Sequence, residues 1–174
     1  AAENNVFGCG YNSDMTEQAP NAHLTAAIWH WDVYYQAAIE TAMTCGGAEN
    51  FVTEMGGNAY YAGLSEGFVD ASTLNELVAA PGTAAAMEAV RELIDSGEWD
   101  VFSGVKLNIT VDAEADTAAV EQVDAPLMSD GYELKDGEVV EMANPEIVPA
   151  GGASVTDDVI KSGMNYNVAG VVEG

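Results

Sequence analysis

Basic residues are nearly absent from this chain of 174 residues, which has 4 Lys plus Arg against 29 Asp plus Glu. The formal net charge is −25, and the basic residues are Arg91, Lys106, Lys135 and Lys161. Nucleic-acid binding needs a basic face that displaces the counterions of the phosphates, and docking on an anionic membrane needs the same. Basic side chains so few and so scattered cannot build that face. The sequence therefore excludes nucleic acid and anionic membranes as partners.

Long apolar runs are also missing. The longest uncharged stretch, residues 18–31, contains Gln, Pro, Asn, His and Thr, and a membrane-spanning helix needs ~18–20 apolar residues. Hydrophobic residues nevertheless make up 48% of the chain, which is enough for a folded core and argues against disorder. The length allows one domain or part of a larger one. Because the sequence begins abruptly at Ala1, we expect mature or truncated material.

The excess of carboxylates over lysine favours a saline habitat. Carboxylates hold water and cations at molar ionic strength, where the Debye length falls to ~3 Å and self-repulsion is screened. An ordinary acidic secreted protein, kept soluble by its charge, is the alternative interpretation. Either interpretation describes the surroundings of the protein and not its chemistry.

Catalytic and metal-binding signatures are missing as well. The chain has no GxSxG elbow, P-loop, HExxH helix or EF-hand loop. His23 and His30 have no nucleophile at an interpretable spacing. Cys9 and Cys45 do not form a CxxC motif, and burial as small apolar side chains is the commoner use of free Cys, although they could pair in an oxidising compartment. The sequence predicts no enzyme, no cofactor and no metal site.

Strands alternate with helices along the chain, which predicts an α/β fold with a largely parallel sheet flanked by helices. The predicted strands are residues 6–10, 23–29, 64–69 and 101–107. The predicted helices are residues 33–44, capped by Asp32, a short helix opened by a capping box at Thr73–Glu76, residues 83–96, and a last turn capped by Ser154.

Two further segments stand out in the second half of the chain. Residues 110–125 contain five carboxylates and no basic residue, which predicts a solvated surface insertion. The Asp136-Gly137 pair predicts a hairpin over residues 132–142. Between them, Asn108 begins an N-glycosylation sequon that matters only if the protein is exported.

Residues that directly follow the predicted strands are candidates for a binding site at the edge of the sheet. Asp14 follows a strand ending in glycine, and open α/β sheets bind ligands outside the carboxyl ends of their strands. A carboxylate there can accept the paired hydroxyls of a sugar, and the alternative is an Asp that caps the next turn. Trp29 and Trp31, with Tyr34 and Tyr35 after them, can stack on a planar base or form a core cluster.

Five short blocks of the sequence, in order, carry a family resemblance. They are residues 7–15 with Ala19-Pro20 and Leu24-Thr25 (G-Y-x-S-D-M…A-P…L-T), residues 31–35 (W-x-x-Y-Y), residues 63–69 (G-L-x-x-G-x-V), residues 94–104 (I-x-x-G…V-F-x-G-P) and residues 163–174 (M-x-W-x-V-x-G-V-x-G). Together they resemble the C-terminal part of the basic membrane protein (BMP) family. Members of this family are solute-binding proteins of ABC importers with the two-lobe type I periplasmic-binding-protein fold.

The resemblance implies a non-catalytic carrier that binds a small polar solute, a purine nucleoside, in a cleft between two lobes and delivers it to an ABC transporter permease. It implies a stacking role for Trp31 and a ribose-binding role for Asp14. Weaker candidates for lining the cleft are Tyr11, Asn12, Gly63 and Gly104. The implied location is extracellular or periplasmic, with a lipid anchor on an upstream segment as one option.

Departures from the family pattern limit the resemblance. All blocks match the C-terminal part of the family, Val105 replaces the usual Pro, and residues 110–125 and 132–142 look like insertions. We therefore expect a fragment, with residues 1–31 as the end of one lobe and the hinge crossing, and residues 32–174 as the remainder. The alternative is a structural or interaction module that keeps this part of the fold and self-associates, since uncovered sheet edges favour association.

Overall fold

A computed structural model describes residues 2–171 of the chain, which divides into two compact units. The first unit comprises residues 1–84 with 113–115, and the second comprises residues 85–112 with 116–174. The architecture is mixed α/β, with helices and several small sheets. This agrees with the predicted fold class in its broad outline.

The elements follow one another as follows. The first unit contains a 3-10 turn (Ala2–Asn4), β1 (Gly8–Asn12), β2 (His23–Trp29), α1 (Trp31–Thr44), α2 (Ala48–Glu54) and β3 (Val69–Ala71). The second unit contains most of α3 (Thr83–Asp95), then β4 (Val105–Asp112), β5 (Thr117–Asp124), β6 (Leu127–Lys135), β7 (Glu138–Glu141), β8 (Glu146–Val148), a π-helical turn (Val159–Gly163) and β9 (Tyr166–Val168).

The sheet of the first unit has the strand order β1-β2-β3. β1 is parallel to β2, with Asn12 opposite Ile28, and β3 is antiparallel to β2, with Val69 opposite Trp29. The carboxyl ends of β1 and β2 and the beginning of β3 therefore lie at one edge of the sheet. This carboxyl edge is where the predicted binding residues Tyr11 and Asn12 lie and where Trp31 begins α1.

The predicted largely parallel sheet is not present in the part of the chain that the structure describes. β1 and β2 form a parallel pair, whereas β4 pairs with β5, and β6 pairs with β7, β8 and β9, in antiparallel fashion. The reason lies in the connections, since a parallel pair needs a crossover of a dozen or more residues. Tight turns join β4 to β5 and β6 to β7, with positive φ at Asp116, Asp136 and Gly137.

Polar side chains help to fill the small core of the first unit. Ala22, Ala26 and Phe68 are buried, together with His23, Ser72 and Asn75. The Asn75 amide donates to the carbonyl oxygens of Pro20 at 2.8 Å and His23 at 2.9 Å, and Asn75 Oδ1 accepts the Leu77 N–H. The predicted helix after the capping box at Thr73–Glu76 is therefore wrong, because Asn75 is held in a turn by long-range hydrogen bonds.

The longer helices agree with the predictions better than the short ones. α1 and α3 lie within two residues of the predicted bounds, whereas α2 had no prediction in its glycine-rich surroundings. Asp32 does not cap α1, because the cap position is His30 and Asp32 lies in the first turn. A carboxylate there still interacts favourably with the helix dipole. Ser154 caps no helix either: its hydroxyl donates to the Val155 carbonyl, and Asp158 precedes the π-helical turn.

Three predicted strands begin later than expected. β1 starts at Gly8 and leaves Val6 and Phe7 exposed, and β3 starts at Val69 because residues 64–67 form a turn. β4 starts at Val105 because the Asp100 carboxylate accepts the Phe102 N–H and holds residues 101–103 in a turn.

The segment predicted to be a solvated insertion forms much of the β4–β5 hairpin. Val105, Leu107, Ile109 and Val111 alternate along β4 with polar residues, so β4 has one apolar face. On β5, Val120 and Ala118 continue this face, whereas Gln122 and Asp124 lie opposite Leu107 and Val105. Asn108 is exposed on the opposite, polar face. The hairpin predicted at Asp136-Gly137 is confirmed as β6–β7, with Lys135 opposite Glu138.

Two remaining predictions concern the cysteines and membrane crossing. Both cysteines are free, and Cys9 is exposed on β1, so its predicted burial is wrong, while Cys45 is partly buried. Within residues 2–171, no helix has both the length and the apolar character that crossing a membrane requires.

Candidate functional site

Aromatic rings gather at the carboxyl edge of the first unit's sheet. Each ring lies with its centroid 5.2–6.4 Å from a neighbouring ring. The members of this aromatic cluster are Tyr11, Trp29, Trp31, Tyr34, Tyr35, Tyr60 and Phe68. They come from the end of β1, the end of β2, the first turn of α1 and the loop before β3. The cluster is thus a direct consequence of the strand order.

The orientation of Trp31 is fixed by its neighbours. Its ring stacks on Trp29 with centroids 5.8 Å apart and an interplanar angle of 27°. The buried Phe68 ring meets Trp31 edge-on at 5.7 Å and Trp29 at 5.3 Å. Such offset and edge-to-face arrangements are favourable beyond the area that they bury. Trp31 nevertheless remains 49% exposed, so a preoriented indole is accessible to a planar ligand.

The loop before β3 holds Phe68 in this cluster and contains the predicted residue Gly63. The Gly63 carbonyl accepts the N–H groups of Phe68 and Val69, and the Phe68 carbonyl accepts the N–H of His30. Glu66 closes the loop, since its carboxylate accepts the Gly63 N–H at 2.6 Å and the Ser65 hydroxyl at 2.9 Å. These two bonds, the Gly63 bond first, hold the pKa of the Glu66 carboxyl below its ordinary value.

Asp14 is engaged in a turn of its own chain. Its Oδ1 accepts the Thr16 hydroxyl at 2.6 Å and the Thr16 N–H at 2.8 Å. These bonds, the hydroxyl first, lower the pKa of Asp14, and the nearby His23 also lowers it. This is the turn-capping use that the sequence left open as an alternative. The ribose-binding role of Asp14 stays a prediction.

The chain reverses direction between β1 and Asp14. Asn12 has a φ of 73°, and the Ser13 carbonyl oxygen lies 3.3 Å from where a Cβ on Gly10 would be. Asp14 therefore lies back along β1, with Oδ1 3.3 Å from Nε2 of the buried His23 at the beginning of β2. Trp31 follows the far end of β2, and a strand of that length spans about 20 Å. The contacts of Asp14 and those of Trp31 thus belong to opposite ends of β2.

Three other predicted residues are placed as follows. Tyr11 is 76% exposed and meets Trp29 edge-on at 6.4 Å, so it belongs to the aromatic cluster. Asn12 is exposed at the end of β1. Gly104 lies in the second unit, where its N–H donates to the Gly152 carbonyl and a Cβ would overlap the Pro149 carbonyl oxygen. The structure thus explains glycine at position 104 by backbone packing.

The charge around the aromatic cluster has one sign. Residues 1–84 contain ten carboxylates and neither Lys nor Arg. No basic side chain from this stretch can therefore neutralise an anionic solute at the cluster. The electrostatic field favours neutral or cationic solutes.

Metal-binding clusters and cavities are the other features that could form a candidate site. Within the described residues, no group of three or more His, Cys, Asp or Glu side chains is arranged to hold a metal ion. In the second unit a shallow depression of about 440 Å³ lies between α3 and β5. It is lined by Ala89, Glu92, Leu93, Ser96, Glu98 and Val120. It contains no aromatic ring and none of the residues predicted from the sequence.

No protein-family model matches the chain, and no curated protein is detectably similar to it. The family resemblance therefore stays a prediction that rests on the sequence motifs.

Sequence reasoning missed several residues that build this edge. Phe68 lies within the G-L-x-x-G-x-V motif, and its aromatic character there was the available signal. Tyr60 lies in a glycine-rich stretch without periodicity, so nothing indicated its contacts with Tyr34 and Phe68. His23 is buried and contacts Asp14, and no sequence pattern indicated that contact.

Proposed function

We propose that this chain is part of an extracytoplasmic solute-binding protein of an ABC importer and belongs to the BMP family. The protein captures a small polar solute, a purine nucleoside, and presents it to a transporter permease without catalysing a reaction. In this proposal the parallel pair β1–β2 contributes to the largely parallel sheet of a two-lobe type I periplasmic-binding-protein fold. The protein acts outside the cytoplasm, in the periplasm or at the cell surface.

The aromatic cluster at the carboxyl edge is the observation that carries the proposal. Open α/β sheets bind ligands at this edge, and a purine base is a planar group suited to stacking on an indole. Trp31 combines a fixed orientation with 49% exposure, so binding needs little ordering of the protein. Binding sites with preorganised side chains lose less entropy on association.

The proposal assigns different tasks to the other candidates. Tyr11 supplies a second exposed ring beside Trp29, and the exposed amide of Asn12 can bond the polar edge of the base. Asp14 accepts the ribose hydroxyls, for which the loop of residues 12–16 must bring it toward the base. Gly63 lines the site through its backbone, whereas the proposal gives no binding task to Gly104, whose packing against Pro149 accounts for glycine there.

Calorimetric titration with adenosine, guanosine and inosine tests the proposal directly. We expect saturable binding that Trp31→Ala weakens by at least about fivefold, since stacking on a planar base is worth about 1–3 kcal/mol. Tyr132→Ala is the matched control, because Tyr132 in the second unit is 52% exposed and lies outside the aromatic cluster. We expect it to bind as the wild type does.

Two results would overturn the nucleoside proposal. One is the absence of binding for all three nucleosides in molar salt with the chain folded. The other is an equal loss of affinity in Trp31→Ala and Tyr132→Ala, which would show that binding does not depend on the aromatic cluster.

A structural or interaction module is the second candidate, and the exposed apolar surface favours it. The described chain buries few large apolar side chains, while Tyr35, Ile39 and Met43 are exposed. A module of this kind would self-associate and leave all three nucleosides unbound.

A further inference from the structure

One face of α1 is an uncovered row of large apolar side chains. Tyr35, Ile39 and Met43 follow one another at intervals of four residues and are 58%, 60% and 80% exposed. Residues at this interval form one ridge on a helix surface. Trp31, four residues earlier, begins the same ridge. We call Tyr35, Ile39 and Met43 the α1 ridge.

The α1 ridge contains no charged residue, but a row that includes charged residues runs beside it along the helix. Asp32, Gln36 and Glu40 form the neighbouring row, and the Gln36 amide donates to Glu40 at 2.9 Å. On the opposite side of the helix, Val33, Tyr34, Ala37 and Ala38 are partly buried. The ridge is therefore neither part of the packed side of α1 nor dispersed among polar residues.

We propose that the α1 ridge is the contact surface for a second copy of this chain. The ridge exposes about 400 Å² of side-chain surface, judged from ordinary side-chain areas, and this area does not include Trp31, which stays available to a solute. A standard interface buries about 800 Å² per partner, and about 65% of a homodimer interface is apolar. The ridge thus supplies about three quarters of the apolar part of one standard interface, with Asp32, Gln36 and Glu40 as its polar rim.

Symmetry makes a second copy a suitable occupant. A two-fold interface uses the same patch on both copies, and Ile39 is the central residue of the ridge. An antiparallel pairing places Ile39 against its copy and the Tyr35 ring against the Met43 sulfur of the other copy, a favourable contact. Helices that pack through ridges of this kind cross at about 50°.

The acidic rim makes the pairing depend on salt. In this pairing Glu40 of one copy approaches Glu40 of the other, and each chain carries a formal charge of −25. Repulsion of this kind extends over about 10 Å at 0.1 M salt and over about 3 Å at 1 M. The dimer is therefore favoured in molar salt and dissociates as the salt concentration falls.

Sedimentation equilibrium of the whole chain in molar KCl tests the proposal. We expect a particle of twice the 18.1 kDa chain mass and a dissociation constant at least about tenfold higher for Ile39→Glu/Met43→Glu. Leu77→Glu is the matched control, since Leu77 is 82% exposed but lies outside the helix. It should dimerise like the wild type in the same salt.

Further variants keep the test decisive if the double variant does not fold, as judged by circular dichroism. Met43→Gln alone keeps an unbranched side chain and should weaken the dimer in the same direction. A wild-type chain that stays monomeric at high micromolar concentration in molar KCl overturns the proposal. So does a dimer that Met43→Gln and Leu77→Glu weaken equally, or one that the ridge variants leave intact.

Discussion

Nε2 of His23 lies 3.3 Å from Oδ1 of Asp14 and 3.4 Å from the backbone N–H of Met15. A single nitrogen cannot donate to the carboxylate and accept from the amide at once, so each tautomer of the ring makes one of these bonds. In either state the ring anchors the turn that carries Asp14. His23, at the buried beginning of β2, therefore positions the exposed carboxylate of Asp14, which was predicted to bind the solute.

Replacing the His23 ring by a methyl group should loosen this turn. His23→Ala removes a buried ring and leaves the Met15 N–H without its side-chain acceptor. We expect the free energy of unfolding to fall by about 2–3 kcal/mol, measured by urea titration in molar KCl. His30→Ala is the control, because His30 is only partly buried and bonds Phe68 through its backbone N–H. Equal losses in the two variants would contradict an anchoring role of His23.

Gly10 provides the space into which the turn folds. A Cβ at this position would lie 3.1 Å from the Ala26 Cβ, 3.1 Å from His23 Cε1 and 3.3 Å from the Ser13 carbonyl oxygen. Gly10→Ala should therefore lower the free energy of unfolding by about 1–3 kcal/mol, as overpacking generally does.

Gly163→Ala is the matched control for Gly10→Ala. A Cβ at Gly163 has no neighbour closer than 3.7 Å, and restricting the unfolded chain is mildly stabilising. Urea titration should thus give a free energy of unfolding within about 0.5 kcal/mol of the wild type, or slightly higher. A Gly10→Ala variant as stable as Gly163→Ala would show that residues 13 and 23 do not crowd this position.

The hydrogen bonds of Glu66 predict a pH-dependent contribution to stability. The Gly63 N–H and the Ser65 hydroxyl lower the pKa of Glu66 in the folded chain. A lowered pKa stabilises the fold at pH values above the pKa of the unfolded carboxyl, about 4.3. This stabilisation is lost as the pH falls through the lower folded pKa.

Glu66→Gln isolates this contribution. The difference in free energy of unfolding between wild type and Glu66→Gln should be constant above about pH 5.5 and shrink steadily below about pH 4.3. Glu76→Gln serves as the control, since Glu76 is exposed and the structure describes no hydrogen bond of its side chain. If the difference for Glu66→Gln kept its neutral-pH size in strong acid, its ionised hydrogen bonds would not be the cause.

Local patterns predicted the longer elements because each of them depends mainly on its own residues. β2 has the predicted bounds, and α3 ends one residue before the predicted end. Asp136-Gly137 has the positive φ values that a tight hairpin requires. Short elements were predicted less well, since tertiary hydrogen bonds decide them. The Asn75 amide, for example, reaches two carbonyls more than 50 residues away along the chain.

The candidate site was predictable in composition and not in arrangement. The aromatic residues at the end of β2 and after it were predicted either to stack on a planar base or to form a cluster, and the structure shows a cluster in which Trp29 and Trp31 stack. Stacking on a base stays a prediction. The position of Asp14 could not be foreseen, because it depends on the positive φ of Asn12 and on the close approach of the chain that the missing side chain of Gly10 permits. Neither feature leaves a periodic signal in the sequence.

The charge of the first unit predicts which nucleotide derivatives are rejected. Since residues 1–84 contain ten carboxylates and no Lys or Arg, a phosphate added to the solute meets only repulsion and desolvation at the aromatic cluster. Adenosine monophosphate should therefore bind at least about tenfold more weakly than adenosine in dilute buffer, and the ratio should shrink in molar KCl as repulsion is screened. Competitive calorimetry at the two salt concentrations measures this ratio. Tighter binding of the monophosphate at low salt would mean that the solute is held by groups outside residues 1–84.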